Sequence, residues 1–192
     1  MKKSIGSDKI KTAVFISGTG SNLKNLIKFS FKKNSPISIK LVISNKKNAK
    51  GLKFINSKKI EKKIVNFIKQ KESEKKLINL LKKRKIEFIC LAGFMKILSN
   101  NFLKKFNNKI VNIHPSLLPK YKGLNTHKRV LKNNEKFSGC TVHYVTAKLD
   151  SGKIILQKKI KIDKTDKENT LRKKILKEEH KLYPRAIMKI FN

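Results

Sequence analysis

An amide and an imidazole two residues apart, followed at once by proline, are the first candidate chemistry in this sequence: Asn112-Ile113-His114-Pro115. On a strand, residues two apart face the same side, so both side chains project together while Pro115 turns the chain out of the sheet. Such a pair suits acyl transfer, where an amide stabilises an oxyanion and an imidazole handles a proton. Taken alone, the segment fits equally well a histidine that satisfies a loop hydrogen bond.

A second candidate is Ser17-Gly18-Thr19-Gly20-Ser21-Asn22, directly after the apolar run Thr12 to Ile16. Glycines let a backbone approach a ligand closely, and the free N–H groups that open a helix favour an anion, so a phosphate fits this loop. The third glycine of a dinucleotide fingerprint is missing, Ser44-Asn45 supplies no acid for an adenosine ribose, and no Gly-Lys-Ser/Thr closes the loop. A phosphorylated metabolite is therefore preferred to NAD or ATP, and a tight turn that binds nothing stays open as the alternative. Asp150 is one of only four Asp beside eight Glu, but Asp-Ser-Gly is also ordinary turn chemistry. His143, in a strand, and His127, in a helix-like stretch, read first as structural residues. No Cys or carboxylate lies at ligand spacing around any His, so no catalytic metal is expected.

The elements that must position these groups alternate between strand and helix. Strands are predicted at Thr12 to Ile16, Ile37 to Ile43, Ile64 to Ile68, Ile86 to Ala92 and Ile110 to Ile113. Between them, Leu23, Leu26, Ile27 and Phe31 form one helical stripe opened by a Ser21 or Asn22 cap, and Asn48 to Asn56 offers a short helix. A further helix carries Leu77, Ile78 and Leu81, and Ser99 caps one containing Phe102, Leu103 and Phe106. Thr141 to Thr146 and Ile154 to Ile162 are joined by a link too short for anything but an antiparallel pair. A last helix carries Leu171, Ile175 and Leu182, with a kink expected at Pro184. The pattern predicts an α/β fold: an open, mostly parallel, Rossmann-like sheet with helices on both faces, ending in an antiparallel strand pair and a final helix. In such sheets ligands bind beyond the carboxyl ends of the strands, where both candidate loops fall.

Length and composition fit one domain over residues 1–192. The longest apolar run, Phe88 to Met95, is too short to span a bilayer, and no secretory signal follows Met1, so a cytoplasmic protein without a membrane partner is expected. Cys90 and Cys140 both sit in apolar strand-like segments, which excludes a disulfide framework. The formal net charge of +37 invites a nucleic-acid reading. Only Arg84, Arg129, Arg172 and Arg185 among the 49 basic residues are arginine, however, and the lysines spread from Lys2 to Lys189. That pattern matches a solvated surface rather than a dedicated nucleic-acid face.

Taken together, these segments resemble the phosphoribosylglycinamide formyltransferase family. The matching stretches are Ile16 to Leu23, Ser44-Asn45-Lys46, Leu91 to Leu98, Asn112 to Tyr121, Gly139 to Gly152, Glu179-His180 and Tyr183-Pro184, in order over nearly the whole chain. The resemblance implies transfer of a formyl group from 10-formyltetrahydrofolate, a cosubstrate, to the amine of 5'-phosphoribosylglycinamide in purine synthesis, with no metal. It implies that Asn112 and His114 stabilise the tetrahedral intermediate while Asp150 keeps His114 protonated and relays a proton through water. It places the substrate phosphate and ribose at Gly18, Thr19, Gly20, Ser21, Asn22 and Glu179. It places the folate at Gln70, Met95, Lys96, Ile97, Leu98, Asn112, Cys140, Thr141, Val142 and His143, and expects a monomer or weak homodimer with small-molecule partners.

Several positions depart from the family pattern: Gln70 where an arginine for the folate tail is usual, Lys122 for a proline, Asn125 for a histidine and Leu176 for a glutamine, and the sequence stops at Asn192. Activity is expected to survive these changes with weaker substrate affinity. Methionyl-tRNA formyltransferase and formyltetrahydrofolate hydrolase share the Asn-His-Asp set but carry further domains for which this length leaves no room. The rival from another class is a nucleic-acid-binding protein that keeps the fold without catalysis.

Overall fold

A computed structural model describes residues 9–56 and 59–191. The expectations about the segment after Met1 and the end at Asn192 lie outside these residues. The elements run β1 (Ile10–Ile16), α1 (Ser21–Ser30), β2 (Ile37–Ser44), a 3-10 turn (Lys50–Phe54), β3 (Glu61–Ile64), α2 (Gln70–Lys83), β4 (Phe88–Leu91), α3 (Asn100–Phe106), β5 (Lys109–His114), α4 (Thr126–Lys132), β6 (Phe137–Tyr144), β7 (Ile154–Lys161) and α5 (Glu168–Phe191). One seven-stranded sheet has the order β3-β2-β1-β4-β5-β6-β7. β1 to β5 are parallel, and β6 pairs antiparallel with both β5 and β7. Among the described residues, no helix is long and apolar enough to cross a membrane.

The short apolar strands are buried on both faces, so alternate residues feed two cores. Val14, Ile16, Phe88, Cys90, Val111, Ile113, Cys140 and Val142 join one cluster with Leu23 and Leu26 of α1 and Leu171, Ile175 and Tyr183 of α5. Ala13, Phe15, Ile89, Leu91 and Ile110 join the other with Leu77, Ile78 and Leu81 of α2 and Phe102 and Phe106 of α3. Because Ile110 belongs to this second face, strand periodicity assigns Asn112 and His114 to it as well, past the last turn of α3. Tyr183 stitches the first face to the sheet, its hydroxyl donating to the carbonyls of Leu91 at 2.9 Å and Val111 at 3.2 Å.

Several local expectations are corrected. Neither Ser21 nor Asn22 caps α1; Gly20, at φ 74°, occupies the cap without a side-chain bond. Phe31 falls just outside the helix, which ends at Ser30, and is 62% exposed, while Phe29 continues the buried stripe of Leu23 and Leu26. The third strand is Glu61–Ile64 rather than Ile64 to Ile68. As a sheet edge it pairs only with β2 and needs no apolar run, and charged side chains there discourage pairing with another chain. Phe67 leaves the sheet instead and packs edge-on against Phe94, 5.4 Å between centroids. Asn48 to Asn56 contracts to one 3-10 turn, since Gly51 lies against Gly20. Pro184 lies inside the final helix α5, as the sequence reading places it. The Ser99 cap stands as expected, accepting from the N–H of Phe102.

Candidate active site

The antiparallel junction of β5 and β6 builds the site. Its register sets Asn112 opposite His143 and His114 opposite Thr141 on one sheet face. The turn after β6 brings Asp150 back over them, in the left-handed region at φ 46° that Asp adopts more readily than most residues. Oδ2 of Asp150 lies 3.4 Å from Nδ1 of His114, both side chains being 8% exposed. Asn112 and His114 of β5, His143 of β6 and Asp150 of the following turn therefore meet at one place.

Hydrogen bonds fix each ring. Nε2 of His114 faces the carbonyl of Tyr121 at 2.9 Å and must donate to it, which leaves Nδ1 turned toward Asp150. The Gly123 N–H donates to Oδ2 of Asp150 at 2.8 Å. Nδ1 of His143 donates to the carbonyl of Tyr144 at 2.9 Å, so the neutral ring offers the Nε2 lone pair to the Asn112 amide, 3.2 Å away. Burial holds this imidazole below the usual histidine range, against the opposing pull of Tyr144 and Asp150. The 3.7 Å approach of Asp150 Oδ1 to His143 is consequently not a salt bridge at neutral pH. One N–H of Asn112 is engaged by His143 and the second remains for a ligand.

His143 thus acts on Asn112, a role that sequence reasoning missed. Pairing the β5 and β6 segments by register would have revealed it. His143→Ala is expected to lower kcat about tenfold or more while leaving folate affinity nearly unchanged, because the freed amide loses its aim. Steady-state kinetics beside a folate-analogue titration measures both effects.

The remaining predicted folate positions divide. Leu91, Phe94, Ile97, Val145 and Leu149 wall the cleft onto which Asn112, His143 and Asp150 open, with Lys96 and Leu98 also lining it. Met95 sits at the rim, 58% exposed, and its N–H is held by the Ser17 hydroxyl at 2.8 Å. Gln70 is tied to the protein itself, donating to Glu74 and to the carbonyl of Ile97, each at 2.9 Å. Cys140 and Val142 point into the opposite core, and the backbone of residues 140–143 lies in the ladder between β5 and β7. Burial pushes the Cys140 thiol up to about 12, so it stays protonated. Thr141 anchors the 116–118 turn, donating to the Ser116 carbonyl at 2.6 Å.

Beyond the carboxyl end of β1, the start of α1 meets α5. The N–H groups of Ser21, Asn22 and Leu23 open α1, and Nδ2 of Asn22 donates to Oε2 of Glu179 at 2.7 Å. Oδ1 of Asn22 is buried without a partner. Burial raises the Glu179 carboxyl to about 7, partly offset by the Asn22 bond. Its folded value exceeds its ordinary one, so the folded state holds the proton more tightly and stability falls as pH rises from about 4.5 to 7. Glu179→Gln is expected to remove that slope, with Tm unchanged near pH 4 but higher at pH 8 by about 3 °C or more. Thermal scans across this window check it. Among the described residues, no cluster of three or more His, Cys, Asp or Glu could hold a metal ion.

This cleft lies on a chain whose residues 10–187 match the formyl transferase family model. The chain belongs to the formyl transferase family. It is 38% identical over 180 residues to phosphoribosylglycinamide formyltransferase of Haemophilus influenzae, covering 92% of this chain and 85% of that protein. It is 40% identical over 186 residues to the trifunctional purine biosynthetic protein adenosine-3 of Gallus gallus, covering 95% of this chain but only 18% of that much longer protein. The crystal structure of phosphoribosylglycinamide formyltransferase from Brucella melitensis superposes with a TM-score of 0.89 at 38% identity, covering 95% of this chain and 96% of that one. In this member of the family, the Asn112, His114 and Asp150 cluster sits at the carboxyl end of β5, where the sheet turns from parallel to antiparallel.

Proposed function

We propose that the chain is a catalytic unit transferring the formyl group of 10-formyltetrahydrofolate to the amine of 5'-phosphoribosylglycinamide in purine biosynthesis. The observation that carries this reading is the convergence of Asn112, His114 and Asp150 at one cleft mouth of a formyl transferase fold. The amine lone pair attacks the formyl carbon, and the carbonyl oxygen becomes an oxyanion. In this reading the free N–H of Asn112 and the Nδ1–H of a His114 ring protonated on both nitrogens donate to that oxygen, which is electrostatic stabilisation aimed at charge that develops only on the way to products. The bond from carbon to the folate nitrogen then breaks as that nitrogen gains a proton and the amine loses one. In this reading Asp150, 3.4 Å from Nδ1 of His114, relays the proton through water.

In this reading the substrate phosphate takes the N–H groups opening α1, Asn22 and Glu179 meet the ribose, and the folate ring lies between the apolar walls. The chemistry calls on no metal, and the protein works in the cytoplasm as a monomer or weak homodimer. Incubating it with both substrates should release tetrahydrofolate, followed by absorbance, in step with a product heavier by one CO. A folded protein that forms neither at low ionic strength would overturn the reading.

One observation favours the nucleic-acid rival: a groove of about 780 Å³ beside β3, lined by Lys47, Lys50, Lys53, Lys62 and Lys63. That reading requires RNA or DNA affinity that drops steeply with salt and no formyl transfer. Salt titrations of labelled RNA, run beside the turnover assay, separate the two.

A further inference from the structure

We propose that Arg129 is a positioning residue that clamps the backbone loop on which both His114 and Asp150 depend; the inference rests on the formyl-transfer reading. Within three residues this loop supplies the Tyr121 carbonyl that accepts from His114 and the Gly123 N–H that donates to Asp150. It holds left-handed backbone at two non-glycine residues, with φ of 57° at Tyr121 and 54° at Asn125, on either side of Gly123 at 78°. Left-handed conformations at non-glycine residues persist only where surrounding contacts over-determine them.

Arg129, one helical turn into α4, provides those contacts. Its Nη1 donates to the Lys122 carbonyl at 2.6 Å and reaches that of Leu124 at 3.4 Å, the two carbonyls that flank Gly123. Its guanidinium lies over the Tyr121 ring, 5.4 Å from the centroid. From the other side the Tyr121 hydroxyl donates to Glu135 at 2.9 Å and accepts from Asn133 at 3.0 Å. Lys120 closes the group with a 3.1 Å bond to Glu135. One planar cation therefore grips the loop by two carbonyls and an aromatic face at once, a combination an ammonium on a flexible stem cannot reproduce. Arg129 touches neither His114 nor Asp150 and acts only through the loop.

The test compares Arg129→Ala, Arg129→Lys and, as a neighbouring control, Lys128→Ala. In Arg129→Ala, kcat should fall about 10- to 100-fold with both KM values within about threefold of wild type. Tens of millimolar guanidinium should restore part of that loss without affecting the wild type, Arg129→Lys should be intermediate, and Lys128→Ala unchanged. Amide exchange at Gly123 should quicken about tenfold in Arg129→Ala at unchanged global stability, whether or not the protein turns over. Inert wild type with a quickened Gly123 would overturn the formyl-transfer reading and leave the clamp standing. An Arg129→Ala protein whose Gly123 exchange matches wild type, or whose kcat loss tracks a lowered Tm and resists guanidinium, would overturn the clamp.

Discussion

Asp150→Asn is expected to lower kcat about 1000-fold while changing the Kd of a bound folate analogue by less than about threefold. The substitution is isosteric, and asparagine also tolerates the left-handed backbone at φ 46°, so the turn should keep its shape. The amide oxygen can still accept from the Gly123 N–H, which preserves the loop contact. What disappears is the charge facing Nδ1 of His114 and the capacity to take and return a proton. Circular dichroism and Tm should match wild type, so the loss can be assigned to chemistry. A kcat within about tenfold of wild type would remove Asp150 from the mechanism.

Gly20→Ala should damage the loop proposed to hold the substrate phosphate. A Cβ at position 20 would stand 2.3 Å from Gly51 Cα, and φ is 74°, so backbone must move on two counts. The two loops that meet there present the start of α1, and the expected result is a KM for phosphoribosylglycinamide raised about 100-fold, with kcat changed much less. Folate-analogue binding, which depends on the β5–β6 end, should survive and shows that the protein is folded. Gly18→Ala is the matched control, since a Cβ there meets nothing within 4 Å, and its Tm should equal that of wild type. Unchanged KM in Gly20→Ala would mean that the phosphate is not held by this loop.

Features governed by neighbouring residues are legible in the sequence alone. Ser99 three residues before Phe102 marks a cap, and strand parity puts Asn112 and His114 on the same side of β5. The alternation of elements is enough for the parallel sheet and its antiparallel ending. Features governed by partners far along the chain are not legible in this way. β3 is a strand because β2 lends it one edge, so its own charged residues carry no signal. Gly20, which caps α1, also lies against Gly51, a contact between segments well separated in sequence. The orientation of Asn112 by His143 needs the β5–β6 register, and the grip of Arg129 on Lys122 and Leu124 needs a loop conformation that no local pattern announces. The residues proposed to carry the chemistry are named in the sequence by family resemblance, whereas those that aim them emerge only when separate segments are paired.

The most direct measurement is a single-turnover reaction with 10-formyltetrahydrofolate labelled in the formyl carbon, run with excess wild-type or Asp150→Asn protein and phosphoribosylglycinamide. The account predicts that wild type moves the label into the N-formyl product in step with loss of the folate signal, and that Asp150→Asn does so about 1000-fold more slowly. Label released as formate, or product formed equally fast by both proteins, would contradict it.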